Sequence, residues 1–227
     1  MCANYTFKAH HNELQKAFEQ LKIDGAAPFS EVKESIFPFT YAQVITARDQ
    51  ELVLTAKRYS LTPAWAKTPK VKWATYNARM NRPNDKTANG LEHIYDIPTW
   101  REPFAKYHCL VPMTDFKESC YEGEASGHIV KFVPKEITFL FAAGIYSDWV
   151  DAATGEILST FAVITTEPDA YIKNTGHDRS PVFLTPATGV KWLSAFNTGK
   201  EAYDFLAAEH SRPALEYAVE RKLKSST

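Results

Sequence analysis

A cysteine at position 2 behind an initiator methionine can do chemistry that no internal cysteine can. A small second residue lets Met1 be removed, and Cys2 then carries a free α-amine next to its thiol. Such a 1,2-aminothiol condenses with an aldehyde: the amine forms an imine, and the thiol closes on the same carbon to give a thiazolidine. An α-amine titrating near about 7.7–8.0 is partly neutral at physiological pH, and a thiol near about 8.5 needs only modest help. Met1-Cys2 alone also fits a cysteine that merely follows the start codon, so other residues have to decide. Polar groups that a core would not ask for stand at expected strand ends: Asn77 and Arg79, Glu118, and His177 with Asp178 and Arg179. Cys109, in the apolar run Cys109-Leu110-Val111-Pro112, is expected to be a buried structural thiol; Cys120 has no assignment. His10, His11, His93, His108, His128 and His210 read as surface or packing residues. Three cysteines without CxxC spacing argue against a disulfide framework and a structural zinc site. No glycine-rich phosphate loop or ligand-spaced cluster calls for a cofactor or metal.

Net charge is −1, which by itself does not suggest nucleic acid. Its distribution does. Between Glu51 and Asp85 no acidic residue occurs, while Lys57, Arg58, Lys67, Lys70, Lys72, Arg79 and Arg82 alternate with Tyr59, Trp65, Trp73 and Tyr76. Cations for phosphates and flat rings for unstacked bases are what a groove for single-stranded nucleic acid needs. A solvated face over core aromatics is the competing reading of this stretch.

The elements that must position these groups follow from periodicity. Leu14, Ala17, Phe18 and Leu21 lie at helical spacing over His11–Leu21. Tyr41–Thr46 and Glu51–Thr55 read as a hairpin around Arg48-Asp49. Short strands are expected over 107–112 and 115–120. Two more, 128–133 and 137–143, are expected to join at Pro134-Lys135, and another runs over 159–166. A short helical piece follows Pro168. Thr185-Pro186 caps a helix to about Phe196, and two helices near 200–209 and 213–224 close the chain. The fold class is α+β: a curled, barrel-like core of mostly antiparallel strands with peripheral helices, in a single domain over 1–227, with 1–210 the core and 211–227 a charged C-terminal helix or tail. No apolar run of membrane-spanning length and no signal peptide is present, so a cytoplasmic protein is expected, nucleoid-associated if bacterial; a monomer is expected, though no residue pattern fixes the oligomeric state.

Met1-Cys2, Asn77-Ala78-Arg79, Cys109-Leu110-Val111-Pro112 with Phe116-Lys117-Glu118, and His177-Asp178-Arg179-Ser180-Pro181 occur in an order that resembles the SRAP family over nearly the whole chain. These are the SOS-response-associated peptidase-like proteins, which include sensors of abasic sites. Leu61-Thr62-Pro63-Ala64-Trp65 is similar to the family's Trp-Gly-Leu-x-Pro-x-Trp segment. The resemblance implies that Cys2, freed of Met1, captures the ring-opened aldehyde of an abasic site in single-stranded DNA as a thiazolidine crosslink, with lyase-like and peptidase-like chemistry and possible self-removal of Met1. It implies that Asn77 orients Cys2, that Glu118 moves protons during imine formation, and that His177 is the acid/base that assists opening of the deoxyribose ring. Arg79 and Arg179 would hold flanking phosphates, Trp65 and Tyr59 would stack on a base, and Thr166 would contact DNA. The chain departs from the family pattern at Ala3-Asn4, Ser119 and Ser180, which alters the expected DNA-contacting shell. Two other functions stay open: an N-terminal-nucleophile cysteine hydrolase with Cys2 and His177, which uses almost the same residues and would turn over, and a non-catalytic single-strand-binding module indifferent to Cys2.

Overall fold

In a computed structural model of the chain, residues 4–8, 11–81, 92–194 and 196–223 are described. Cys2, His10, Arg82 and the 84–90 stretch lie outside them. Among the described residues, fourteen strands and five α-helices follow in order: β1 (Asn4–Thr6), α1 (His11–Ala17), β2 (Lys22–Ile23), β3 (Ser35–Ile36), β4 (Tyr41–Arg48), β5 (Glu51–Tyr59), β6 (Asn77–Arg79), α2 (Arg101–Lys106), β7 (His108–Met113), β8 (Asp115–Cys120), β9 (His128–Pro134), β10 (Leu140–Val150), β11 (Ile157–Thr166), α3 (Ala170–Thr175), β12 (Ser180–Pro181), β13 (Phe183–Leu184), α4 (Pro186–Trp192), α5 (Gly199–Glu209) and β14 (Leu215–Lys222).

The longest strands close on themselves. β10 pairs with β7 and β11, β7 with β4, and β4 with β5; β5 returns to β11 through the parallel pairs Arg58 with Thr160 and Tyr59 with Phe161. Barrel strands alternate between inside and outside, so the nearly consecutive burial of β5, β7 and β10 means that their outer faces are covered as well, as where Gly189 of α4 packs on Leu110 and Tyr5 of β1 on Tyr59. A second sheet, in the order β14-β9-β8-β1-β3, alternates as a one-sided sheet should: Phe116, Glu118 and Cys120 of β8 face inward.

The expected hairpin is present, with Arg48 opposite Glu51 and with Asp49 and Gln50 at φ 50° and 66°, the left-handed pair that a two-residue loop demands. Helix α1 stops at Ala17, short of the expected Leu21, yet Leu14, Phe18 and Leu21 are buried. Thr185 caps α4 through a capping box with Thr188, and Trp192 donates to the carbonyls of Cys109 (3.1 Å) and Gly144 (3.3 Å).

Strands β9 and β10 follow one another across the segment after Pro134, as expected, with β10 starting at Leu140 and not at 137, but β9 joins the second sheet and β10 the barrel. The one-sided burial of β9 and the continuous burial of β10 require different surroundings. One expectation is corrected. The segment expected as a C-terminal helix or tail is instead mostly strand β14. Its helix-favouring Ala, Glu, Lys and Arg are overruled by the open edge of β9, whose backbone it satisfies from Leu215 opposite Pro134 to Lys222 opposite His128. Glu220 then accepts from Lys117 at 2.6 Å.

Candidate functional site

The site forms where the second sheet meets the segment after β11. Asp169 caps α3 by accepting from the Ile172 amide, and the helix ends at Gly176 in the left-handed region, φ 106°. No side chain fits there: a Cβ on Gly176 would lie 1.6 Å from the Glu122 carbonyl oxygen. The chain turns sharply on this glycine and delivers His177, Asp178 and Arg179 against β8.

His177 and Glu118 are 3% and 1% exposed, and His177 Nε2 lies 3.1 Å from Glu118 Oε2. His177 Nδ1 is 2.9 Å from the Ser119 carbonyl oxygen, which can only accept, so Nδ1 carries a proton. In the neutral imidazole Nε2 is then the lone-pair nitrogen, and the proton of the short contact belongs to Glu118. Burial favours the same assignment. It pushes the Glu118 carboxyl up to about 7 and the His177 imidazole down to about 4. The pair is a buried carboxylic acid in close contact with an imidazole of fixed tautomer, a unit that can give up and recover a proton near neutral pH.

Two cations flank it. Arg79, on β6, is placed by the parallel pairing of β6 with β11, in which Asn77 faces Val163 and Arg79 faces Thr165. Its guanidinium is 3.0 Å from Asp178 Oδ2, and Arg179 Nε is 3.2 Å from Asp178 Oδ1. The same Oδ1 lies 3.9 Å from His177 Nε2. Arg179 and the two acids Asp178 and Glu167 join Arg79, Asn81 and Thr166 around a cavity of about 200 Å³. Tyr76 has its hydroxyl pushed up mainly by burial, against the pull of the Arg179 cation.

The structure thus brings Glu118 and His177 into contact, sets Arg79, Arg179 and Thr166 around one cavity, and puts Asn77 two residues before Arg79 on the same strand. Tyr59 departs from expectation. Its ring is 0% exposed, packed on Phe161, Tyr5 and Tyr76, and unavailable to a base; its hydroxyl instead donates to Asn77 Oδ1 at 3.4 Å. Trp65 is 57% exposed and stacked on Trp73, but it sits beside α2, in a cavity shared with Pro98, Glu102, Tyr107 and Asp148. The basic interval is also not one open groove. Lys57 is buried and donates to Ser159 at 2.7 Å, and Arg58 donates to the Pro69 carbonyl at 2.6 Å. Cys109 is fully buried, its thiol pushed up to about 12 by burial. Sequence reasoning missed two features: the Ser119 carbonyl that fixes the tautomer, which leaves no mark in side-chain type, and the bridging role of Asp178, whose signal was its place between His177 and Arg179.

The sequence matches the profile of the family described as SOS response associated peptidase (SRAP) over residues 1–226. It is 28% identical over 223 residues to abasic site processing protein YoqW of Bacillus subtilis, covering 95% of this chain and 90% of that protein. It is 27% identical over 219 residues to abasic site processing protein YoaM of the same organism, covering 95% and 89%. A crystal structure of a protein from Bordetella bronchiseptica superimposes with a TM-score of 0.74 at 21% identity, covering 97% of this chain and all of that one. One from Bacteroides thetaiotaomicron gives 0.71 at 22% identity, covering 97% and 92%.

Proposed function

Because the chain belongs to the SRAP family, we propose that it processes abasic sites in single-stranded DNA as part of the response to DNA damage, capturing the sugar aldehyde on Cys2 as a thiazolidine. The observation that carries this reading is the buried Glu118–His177 pair on the strand that receives the chain's N-terminal segment. Asn4 lies opposite Lys117, one residue from Glu118. Two residues span at most about 7 Å, so covalent geometry alone ties Cys2 to the neighbourhood of Asn4.

The steps balance with the residues at hand. Opening of the deoxyribose hemiacetal moves a proton from the anomeric hydroxyl to the ring oxygen, an exchange that His177 and Glu118 mediate. The neutral Cys2 amine adds to the exposed aldehyde carbon to give a carbinolamine. Glu118 protonates the carbinolamine hydroxyl, which leaves as water, and an iminium forms. The Glu118 carboxylate then takes the thiol proton as sulfur adds to the iminium carbon, closing the ring and restoring the acid. One water is lost in all. Asn77 orients the Cys2 amine or thiol, Arg79 and Arg179 exchange Asp178 for flanking phosphates, Thr166 contacts the strand at the same cavity, and Trp65 meets it beyond the site, beside α2. Removal of Met1, by the chain itself or by another enzyme, precedes all of this.

The test is a denaturing gel of the protein with single-stranded DNA bearing one abasic site. A slow-migrating species that consumes protein one-for-one, is lost in Cys2→Ala and forms more slowly in Glu118→Gln supports the proposal. Multiple turnover with release of unattached products defeats it in favour of hydrolysis.

A further inference from the structure

We propose that Tyr121 is a base-stacking residue of this site, its ring taking the face of a nucleobase next to the abasic nucleotide. The proposal rests on the reading of the site as one for single-stranded DNA. Tyr121 is 72% exposed, the highest value among the exposed large hydrophobics of the described residues. An exposed tyrosine alone means little. This one stands on a backbone fixed beside the acid/base pair.

Three hydrogen bonds bolt the turn after β8 to the segment that leads into His177. The Tyr121 amide donates to the Gly176 carbonyl at 3.3 Å, that of Glu124 to Asn174 at 2.9 Å, and that of Ala125 to Thr175 at 3.1 Å. Within the turn, the Ser126 hydroxyl donates to the Tyr121 carbonyl at 3.0 Å, and the Gly127 amide to Cys120 at 2.9 Å. The two segments approach so closely that each needs a glycine. A Cβ on Gly123 would meet the Asn174 oxygen at 2.4 Å, and one on Gly176 the Glu122 oxygen at 1.6 Å. The same junction therefore holds His177 against Glu118 and presents Tyr121 to solvent. Tyr121 follows Glu118 by three residues on the same chain segment, and its amide is bonded to Gly176, the residue before His177, so its backbone is tied to both members of the pair.

A flat, exposed ring on a backbone held by these bonds is suited to stack on an unpaired base at little entropic cost. A nucleotide that has lost its base leaves its neighbours without a stacking partner on one side, and Tyr121 supplies one.

The experiment uses the full chain carrying Cys2→Ala. It is titrated with single strands that contain a tetrahydrofuran abasic analogue and a 2-aminopurine on either its 5′ or its 3′ side. Quenching of 2-aminopurine on one side is expected with Tyr121 present, retained in Tyr121→Phe, and lost in Tyr121→Ala with about 5- to 100-fold weaker binding and an unchanged melting temperature. Unchanged quenching and affinity in Tyr121→Ala would overturn the proposal, as would equal loss in Tyr121→Phe, which would assign the effect to the hydroxyl. Quenching that needs Tyr121 in a protein that forms no adduct with a true abasic site would defeat the crosslink and leave stacking standing. A full-yield adduct without such quenching would do the reverse.

Discussion

Replacing Glu118 by Gln offers a quantitative check of the acid/base pair that does not depend on DNA. The amide preserves a donor toward His177 Nε2 while removing the titration. In the native protein burial raises Glu118 from an ordinary 4.5 to about 7, so between those values the folded chain holds a proton that the unfolded chain has released. The stability this proton confers is complete below about pH 4.5 and lost as the pH rises through 7, at about 1.4 kcal/mol per unit. His177, lowered from 6.5 to about 4, has the opposite slope: its neutral form is disfavoured in the unfolded chain at acid pH, so it stabilises the fold above 6.5 and progressively less toward 4. Over roughly pH 4.5–6.5 the two slopes cancel in the wild type. Glu118→Gln removes one of them. Relative to wild type, the variant should gain about 3 kcal/mol between pH 4.5 and 7. Urea unfolding of both proteins at half-unit pH steps measures this difference, and titrations elsewhere in the chain drop out of it. A flat difference would refute the raised carboxyl. A slope of opposite sign would mean that Glu118 is held as a carboxylate by an imidazolium, contrary to the tautomer fixed by Ser119.

Asp178→Asn frees Arg79 and Arg179 from their shared carboxylate, and single-stranded DNA should bind about 3- to 10-fold tighter at low salt; fluorescence anisotropy reads this, and weaker binding would contradict the clamp. Gly176→Ala meets both a left-handed backbone and the Glu122 carbonyl, and should cost at least about 3 kcal/mol in denaturant unfolding; near-native stability would show that the junction yields. Lys57→Met should lower stability by about 1–3 kcal/mol, because Ser159 and Asp148 lose a buried partner, while leaving DNA affinity unchanged. A fall in affinity would restore Lys57 to the binding surface.

Much of this was legible in the residues, and the exceptions have physical causes. Strands β4, β5, β7, β8 and β11 were visible because β-branched and apolar runs sit between clear turn residues, and Thr185-Pro186 announced α4 through local capping chemistry. The C-terminal strand was not visible: Glu216 to Lys222 carry good helix formers, and only the free edge of β9, remote in sequence, decides between helix and strand. The parting of β9 from β10 was hidden for the same reason. Polar residues at strand ends pointed to Glu118 and His177, since nothing in a core asks for them. Tyr59 escapes this reasoning because a tyrosine between basic residues looks the same whether it faces solvent or, as here, is buried between Phe161 and Tyr5. Alternating charge and aromatic residues could not reveal that Lys57 points into a buried network with Ser159.

Intact mass spectrometry after reaction with a single strand bearing one abasic site shows whether Cys2 is the residue that ends up joined to DNA. The expected product survives denaturation, weighs the chain without Met1 plus the DNA less one water, resists borohydride because the imine has closed, and is absent in Cys2→Ala. Protein lacking Met1 and carrying a free Cys2 that yields no such species, or an adduct that forms fully in Cys2→Ala, would contradict that role of Cys2.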